Sequence, residues 1–132
     1  MSKSHQNPKS RIHLTDSDAD ISKKIRVALT DLIEGVSYDR LARPGVSNLV
    51  DIAFYLDAAG ASSAAELAKD FEGLSLKAFK ERIAKIISQE ISPIRERYEQ
   101  IMAGDGREVA DAASMGAAKA SASAETLSLI HI

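Results

Sequence analysis

Cysteine is missing from this 132-residue sequence, and proline occurs only three times. Without cysteine there is no disulfide framework, no thiolate metal site and no cysteine nucleophile. The three histidines, at positions 5, 13 and 131, lack metal-ligand spacing, so no resident metal is expected. No apolar run approaches the roughly 20 residues that span a bilayer, which argues against a membrane partner. The first residues also lack the hydrophobic stretch of a secretory signal. What the sequence does have is alanine. Of the hydrophobic residues, 21 are alanine and 38 are larger, enough for one modest core.

The net charge of −2 argues against a surface coated in nucleic acid, but the charge is unevenly spread. Residues 1–26 hold six Lys/Arg against three Asp, a local +3, so the remainder carries −5. A basic segment leading an acidic body points to an anionic ligand near the start.

Hydrophobic periodicity predicts an all-α body. Thr15-Asp16-Ser17-Asp18 supplies capping oxygens and acids for a helix over roughly 17–33. Its apolar face is expected to hold Ile21, Ile25, Ala28, Leu29 and Leu32, with Gly35 ending it. Pro44-Gly45 opens a second helix with Val46, Leu49, Val50, Ala53 and Leu56 as the buried stripe. Ser63 and Glu66 have capping-box spacing for a short third helix that stops near Gly73. From Leu76 a long stripe runs through Phe79, Ile83, Ile87, Ile91, Ile94, Tyr98 and Ile101, with Pro93 inside it as a kink point. Gly104-Asp105-Gly106 precedes a last, alanine-rich helix. The first 14 residues show no apolar face and read as a loop detached from what it serves.

That opening stretch carries a resemblance. Met1-Ser2-Lys3-Ser4 matches four of the five residues of the KMSKS signature of class I aminoacyl-tRNA synthetases. The continuation through Asn7-Pro8-Lys9, Thr15-Asp16, Lys24-Ile25, Thr30-Asp31 and Tyr38-Asp39 resembles the tryptophanyl-tRNA synthetases. So, above all, does Arg43-Pro44-Gly45-Val46-Ser47-Asn48-Leu49, a run that separates this family from its tyrosyl relatives. Phe71-Glu72-Gly73, Phe79-Lys80, Pro93 to Tyr98 and Gly116 to Ala120 follow in the same order. Two places depart from the pattern: His5 stands where an acid is usual, and Ser128 to Ile132 does not continue the helical tail.

The resemblance implies a C-terminal fragment that begins inside the signature, with the Rossmann domain, its HIGH signature and the tryptophan pocket absent. Residues 1–14 would be the ATP loop and connector, 15–127 a helical anticodon-binding domain, and 128–132 an atypical tail. Lys3 would be the catalytic lysine, stabilising charge that builds on the leaving pyrophosphate. Ser2, Lys3 and Ser4 together would bind ATP. Magnesium would arrive with ATP, held by no residue of this chain. The partners implied are tRNA(Trp), tryptophan and ATP, with a homodimer in the full-length enzyme. The fragment would be an inactive monomer with residues 1–14 disordered.

The basic residues divide two ways. Lys9, Arg11, Lys23, Lys24 and Arg26 are either a phosphate-contacting strip or the solvated side of an amphipathic helix. Arg95, Arg97 and Lys85 either touch tRNA or pair within their helix, Arg95 with Glu99 and Arg97 with Glu96. Tyr38 and Tyr98 are candidates for base stacking or for packing. Ser4-His5 after the signature lysine, Ser10-Arg11-Ile12 and the general drift resemble mitochondrial more than bacterial members of the family, which implies the mitochondrial matrix, with the bacterial cytoplasm as alternative. The competing function is a non-catalytic helical module that binds RNA or protein.

Overall fold

The computed structural model describes residues 7–56 and 60–130. Among them there is no strand: a 3-10 turn at Pro8–Ser10 is followed by α1 (Asp18–Arg26), α2 (Pro44–Leu56), α3 (Ala64–Lys69), α4 (Leu76–Ala103) and α5 (Arg107–Ile130). The chain divides into two compact units, Met1–Ile94 and Arg95–Ile132. No helix among the described residues is long and apolar enough to cross a membrane.

The first unit holds the core. Ile21 and Ile25 of α1 share it with Val46, Leu49, Val50 and Ala53 of α2, Leu67 of α3, and Phe79, Ile83 and Ile87 of α4. Phe71, just after α3, meets Phe79 edge to face at 5.3 Å between ring centroids, and the Arg82 guanidinium lies 5.2 Å over its ring. Both contacts have the geometry that the aromatic quadrupole favours. Ser63 caps α3 by accepting the Glu66 N–H, while the Glu66 carboxylate turns to Ser62, accepting from its N–H and hydroxyl. The capping box is thus displaced by one residue.

The first helix is shorter than its periodicity predicts. It ends at Arg26, and Leu29 and Leu32 are 91% and 100% exposed instead of buried. Three tertiary contacts win over the local pattern. After Val27 the backbone passes so close to Gly45 that a Cβ there would lie 2.3 Å from the Leu29 carbonyl oxygen. Asp31 is drawn away to Arg43, and the Ala28 carbonyl accepts from Lys80. An isolated helical turn is too weak to resist such contacts.

The second helix starts with Pro44 at a position where its missing N–H costs nothing. Its buried face matches expectation except at the end, where Leu56 is exposed. The long stripe of α4 is buried only over its first half: Ile91 is half-buried, Ile94 and Tyr98 exposed. Pro93 lies inside this continuous helical segment.

In the second unit, Gly106 takes φ +80°, a left-handed conformation that opens α5. No residue of α5 is buried. The helix runs through Ser128, Leu129 and Ile130, so the tail expected from residue 128 onward starts as helix.

Candidate functional site

Ser2, Lys3 and Ser4, and with them His5, lie outside the described residues. What the structure describes is the segment that carries them. Asn7 caps the 3-10 turn, its side-chain oxygen accepting the Lys9 N–H at 3.0 Å, and Ser10 Oγ donates to the Asn7 carbonyl at 2.7 Å. Ile12 packs against the core. The His13 N–H donates to Asp16, whose carboxylate also receives Lys24 Nζ from the last turn of α1. Ser17 then caps α1 by accepting the Asp20 N–H at 3.2 Å. Residues 7–14, expected to be disordered in isolation, therefore have an organised path that fastens to α1.

The basic strip splits accordingly. Lys9, Lys23 and Arg26 are exposed; Lys24 is half-buried and paired with Asp16. Pro8, Lys9, His13, Lys23 and Lys24 line one cleft of about 300 Å³, with Asp20 beside them. This concentrates positive charge beside the segment that leads back to the signature, the arrangement that draws a polyanion.

The run Arg43 to Leu49 does structural work. Arg43 is 4% exposed and grips the carboxylate of Asp31 with two nitrogens, at 2.8 and 3.0 Å. It also donates to Ser37 Oγ at 3.0 Å and to the carbonyls of Ile33 and Gly35 at 2.9 and 3.1 Å. Asp39 folds the next turn by accepting the N–H groups of Leu41 and Ala42, and donates its own N–H to the buried Ser47 hydroxyl. Tyr38 is occupied too: its hydroxyl donates to Asp51 at 2.8 Å and accepts from Arg40 Nε. That resolves Tyr38 toward packing. Arg97 pairs with Glu108 of α5 at 3.2 Å, a partner that sequence spacing did not suggest. Lys85 is exposed.

Electrostatics give the fold an acid limit. Asp31 is held below the usual carboxylate range, first by the Arg43 hydrogen bond. The N–H groups of Ala42 and Leu41 do the same for Asp39, and the Ser62 hydroxyl for Glu66. For Asp16 burial opposes ionisation most, but the hydrogen bonds from Lys24 and His13 outweigh it, and its pKa is also lowered. Groups with depressed folded values stabilise fully above the unfolded pKa of about 4, and lose that contribution as pH falls through the folded values. Melting temperature should therefore hold its neutral-pH level down to about pH 5 and then drop steadily toward pH 2. A chain that melts at the same temperature at pH 3 and pH 6 would contradict this network.

Sequence reasoning missed two features. Lys80, on α4, donates to the Ala28 carbonyl at 2.8 Å and the Arg26 carbonyl at 3.4 Å, and burial lowers its pKa. The Asp31–Arg43 clamp was equally hidden, although both residues stood within the resemblance.

Residues 1–92 match the family model of class I tRNA synthetases (W and Y). Among curated proteins, the tryptophan–tRNA ligase of Halalkalibacterium halodurans is 41% identical over 77% of this chain and 30% of its own length. The Rickettsia bellii ligase is 39% identical over 77% of this chain. A mitochondrial tryptophan–tRNA ligase of Dictyostelium discoideum is 41% identical over 74%. The chain thus spans about 30% of the length of the bacterial relatives. The fold is similar to that of a tryptophanyl-tRNA synthetase from Mycoplasma pneumoniae, with a TM-score of 0.50 and 24% identity, covering 74% of this chain and 32% of that one. The ordered match from the signature through Arg43 to Leu49 and on to Ser92 has one conclusion: the chain belongs to the class I tRNA synthetases of the tryptophan and tyrosine group.

Proposed function

We propose that this chain is the signature-loop and helical part of a tryptophan–tRNA ligase, which activates tryptophan with ATP and transfers it to tRNA(Trp). The observation that carries the proposal is the family match beginning at the Met1-Ser2-Lys3-Ser4 segment, with tryptophan ligases as the curated relatives. In the activation step the tryptophan carboxylate attacks the α-phosphorus of ATP, the bond to the bridging oxygen breaks, and pyrophosphate leaves with its new charge. Lys3 meets that charge, while Ser2 and Ser4 shape the loop around the phosphates. Magnesium would arrive with the nucleotide rather than be held by residues of this chain.

Residues 1–14 serve as the ATP loop and connector, and 15–127 as the tRNA-facing helical part, with 128–132 outside it. The longer enzyme is a homodimer, and the 132-residue chain alone is an inactive monomer. Its compartment is the mitochondrial matrix, the bacterial cytoplasm being the competing assignment. Fractionation of source cells decides between them.

The test is a chimera in which this chain replaces the matched portion of the Halalkalibacterium halodurans enzyme. It should exchange pyrophosphate into ATP only when tryptophan is present, and the chain alone should not. A chimera that folds cooperatively yet shows no tryptophan-dependent exchange sinks the proposal. Selective tRNA(Trp) binding without exchange would instead favour a non-catalytic RNA-binding module.

A further inference from the structure

α1 has nine residues, too few to persist without outside support. Its last carbonyls need partners, as at every helix C-terminus. The usual device is a glycine in the left-handed conformation just past the end. Here the C-cap is Val27, with φ −91° and ψ 0°, and Ala28 rather than glycine follows it. The N–H groups of Val27 and Ala28 serve the Lys23 and Ile25 carbonyls, while Lys80 Nζ on α4 reaches the Arg26 carbonyl at 3.4 Å and, just past the helix, the Ala28 carbonyl at 2.8 Å. A cation at this end also complements the helix dipole. Lys80 is itself well anchored, because its neighbour Phe79 and Ile83 one turn on are fully buried in the core.

The opposite end of α1 leads back to the signature. The Asp16–Lys24 pair, the Ser17 cap and the core contact of Ile12 fix residues 12–17 onto α1. Whatever places α1 therefore places the segment that carries Lys3. We infer that Lys80 is a positioning residue for the signature loop: by capping α1 from α4, it sets where the loop stands relative to the helical core. The inference rests on the reading of residues 1–14 as the ATP loop. Lys80 touches no reacting atom. Its effect travels through α1.

The experiment has a structural arm and a kinetic arm. In the full 132-residue chain, Lys80→Met keeps the apolar stem and removes the donors. Amide hydrogen exchange across 18–26 and 7–17 should then accelerate at least about tenfold, the loss expected for charged hydrogen bonds, while α2 amides stay protected. Lys80→Arg, which restores a donor, should return the exchange toward wild type. In the chimera, Lys80→Met should lower kcat for pyrophosphate exchange about tenfold with the KM for tryptophan unchanged, and Lys80→Arg should recover it. Unchanged exchange in α1 overturns the inference. So does faster exchange in α1 with an unaltered kcat, because Lys80 would then serve stability alone. An inactive wild-type chimera removes the ligase reading, while the exchange profile over 7–17 still decides whether Lys80 governs that segment. Should Lys80→Met expose α2 as well, Lys80→Gln, with a shorter donor, replaces it under the same criteria.

Discussion

Replacing Lys3 by alanine in the active chimera is expected to cut kcat for tryptophan-dependent pyrophosphate exchange by about 100- to 1,000-fold, the range for removing one donor aimed at developing charge. KM for tryptophan should barely move, because the amino acid is held elsewhere. The argument is one of timing. A lysine that contacted the triphosphate equally in ground and transition states would alter KM and leave kcat alone. On the proposed role, Lys3 meets charge that appears only as the bond to pyrophosphate breaks, so its loss falls on kcat. Lys3→Arg should recover little, because a planar fork does not replace a compact point charge. A Lys3→Ala chimera within about threefold of wild type would remove Lys3 from the mechanism.

The second large effect is on stability. Arg43→Ala should destabilise the chain by about 2–3 kcal/mol, the range for losing charged hydrogen bonds of a buried guanidinium to a half-buried carboxylate and its neighbours. For a unit of this size the melting temperature should fall by more than about 10 °C. The substitution strips a partner from Asp31, Ser37 and the carbonyls of Ile33 and Gly35 at once. Five contacts made by one planar group cannot be rebuilt piecemeal. Arg43→Lys, which keeps the charge but not the fork, should lose most of the same stability. Asp31→Asn should lose less, since an amide oxygen still accepts one of the two bonds. A shift of under about 2 °C for Arg43→Ala would show that the loop from 31 to 43 holds itself.

The sequence was most legible where local chemistry and burial agree. Ser17 and Ser63 cap where expected, Pro44 opens α2, and Val46, Leu49, Val50 and Ala53 are buried as their spacing predicts. It was least legible between residues 27 and 43. Leu29 and Leu32 continue the apolar period of α1, yet Gly45 brings the backbone across that path and Arg43 claims Asp31. Neither contact leaves a trace in periodicity, because each depends on a residue at least twelve positions away. Arg97 teaches the same point on a smaller scale, reaching Glu108 eleven positions on. Of the site, Ser2, Lys3 and Ser4 were named through the resemblance and lie outside the described residues. Lys80 against the end of α1 joins two helices that no sequence pattern links.

The separation of 52 positions between Ala28 and Lys80 has a consequence for synthesis of the chain. A ribosome adds about 5–20 residues per second, so α1 waits roughly 3–10 s before its capping lysine is even polymerised. During that interval a nine-residue helix has no stable existence, whereas α2 and α3 are close enough in sequence to associate as soon as both emerge. α1 is therefore made early and completed late: a nascent chain stalled before α4 would hold α1 without the lysine that serves its end.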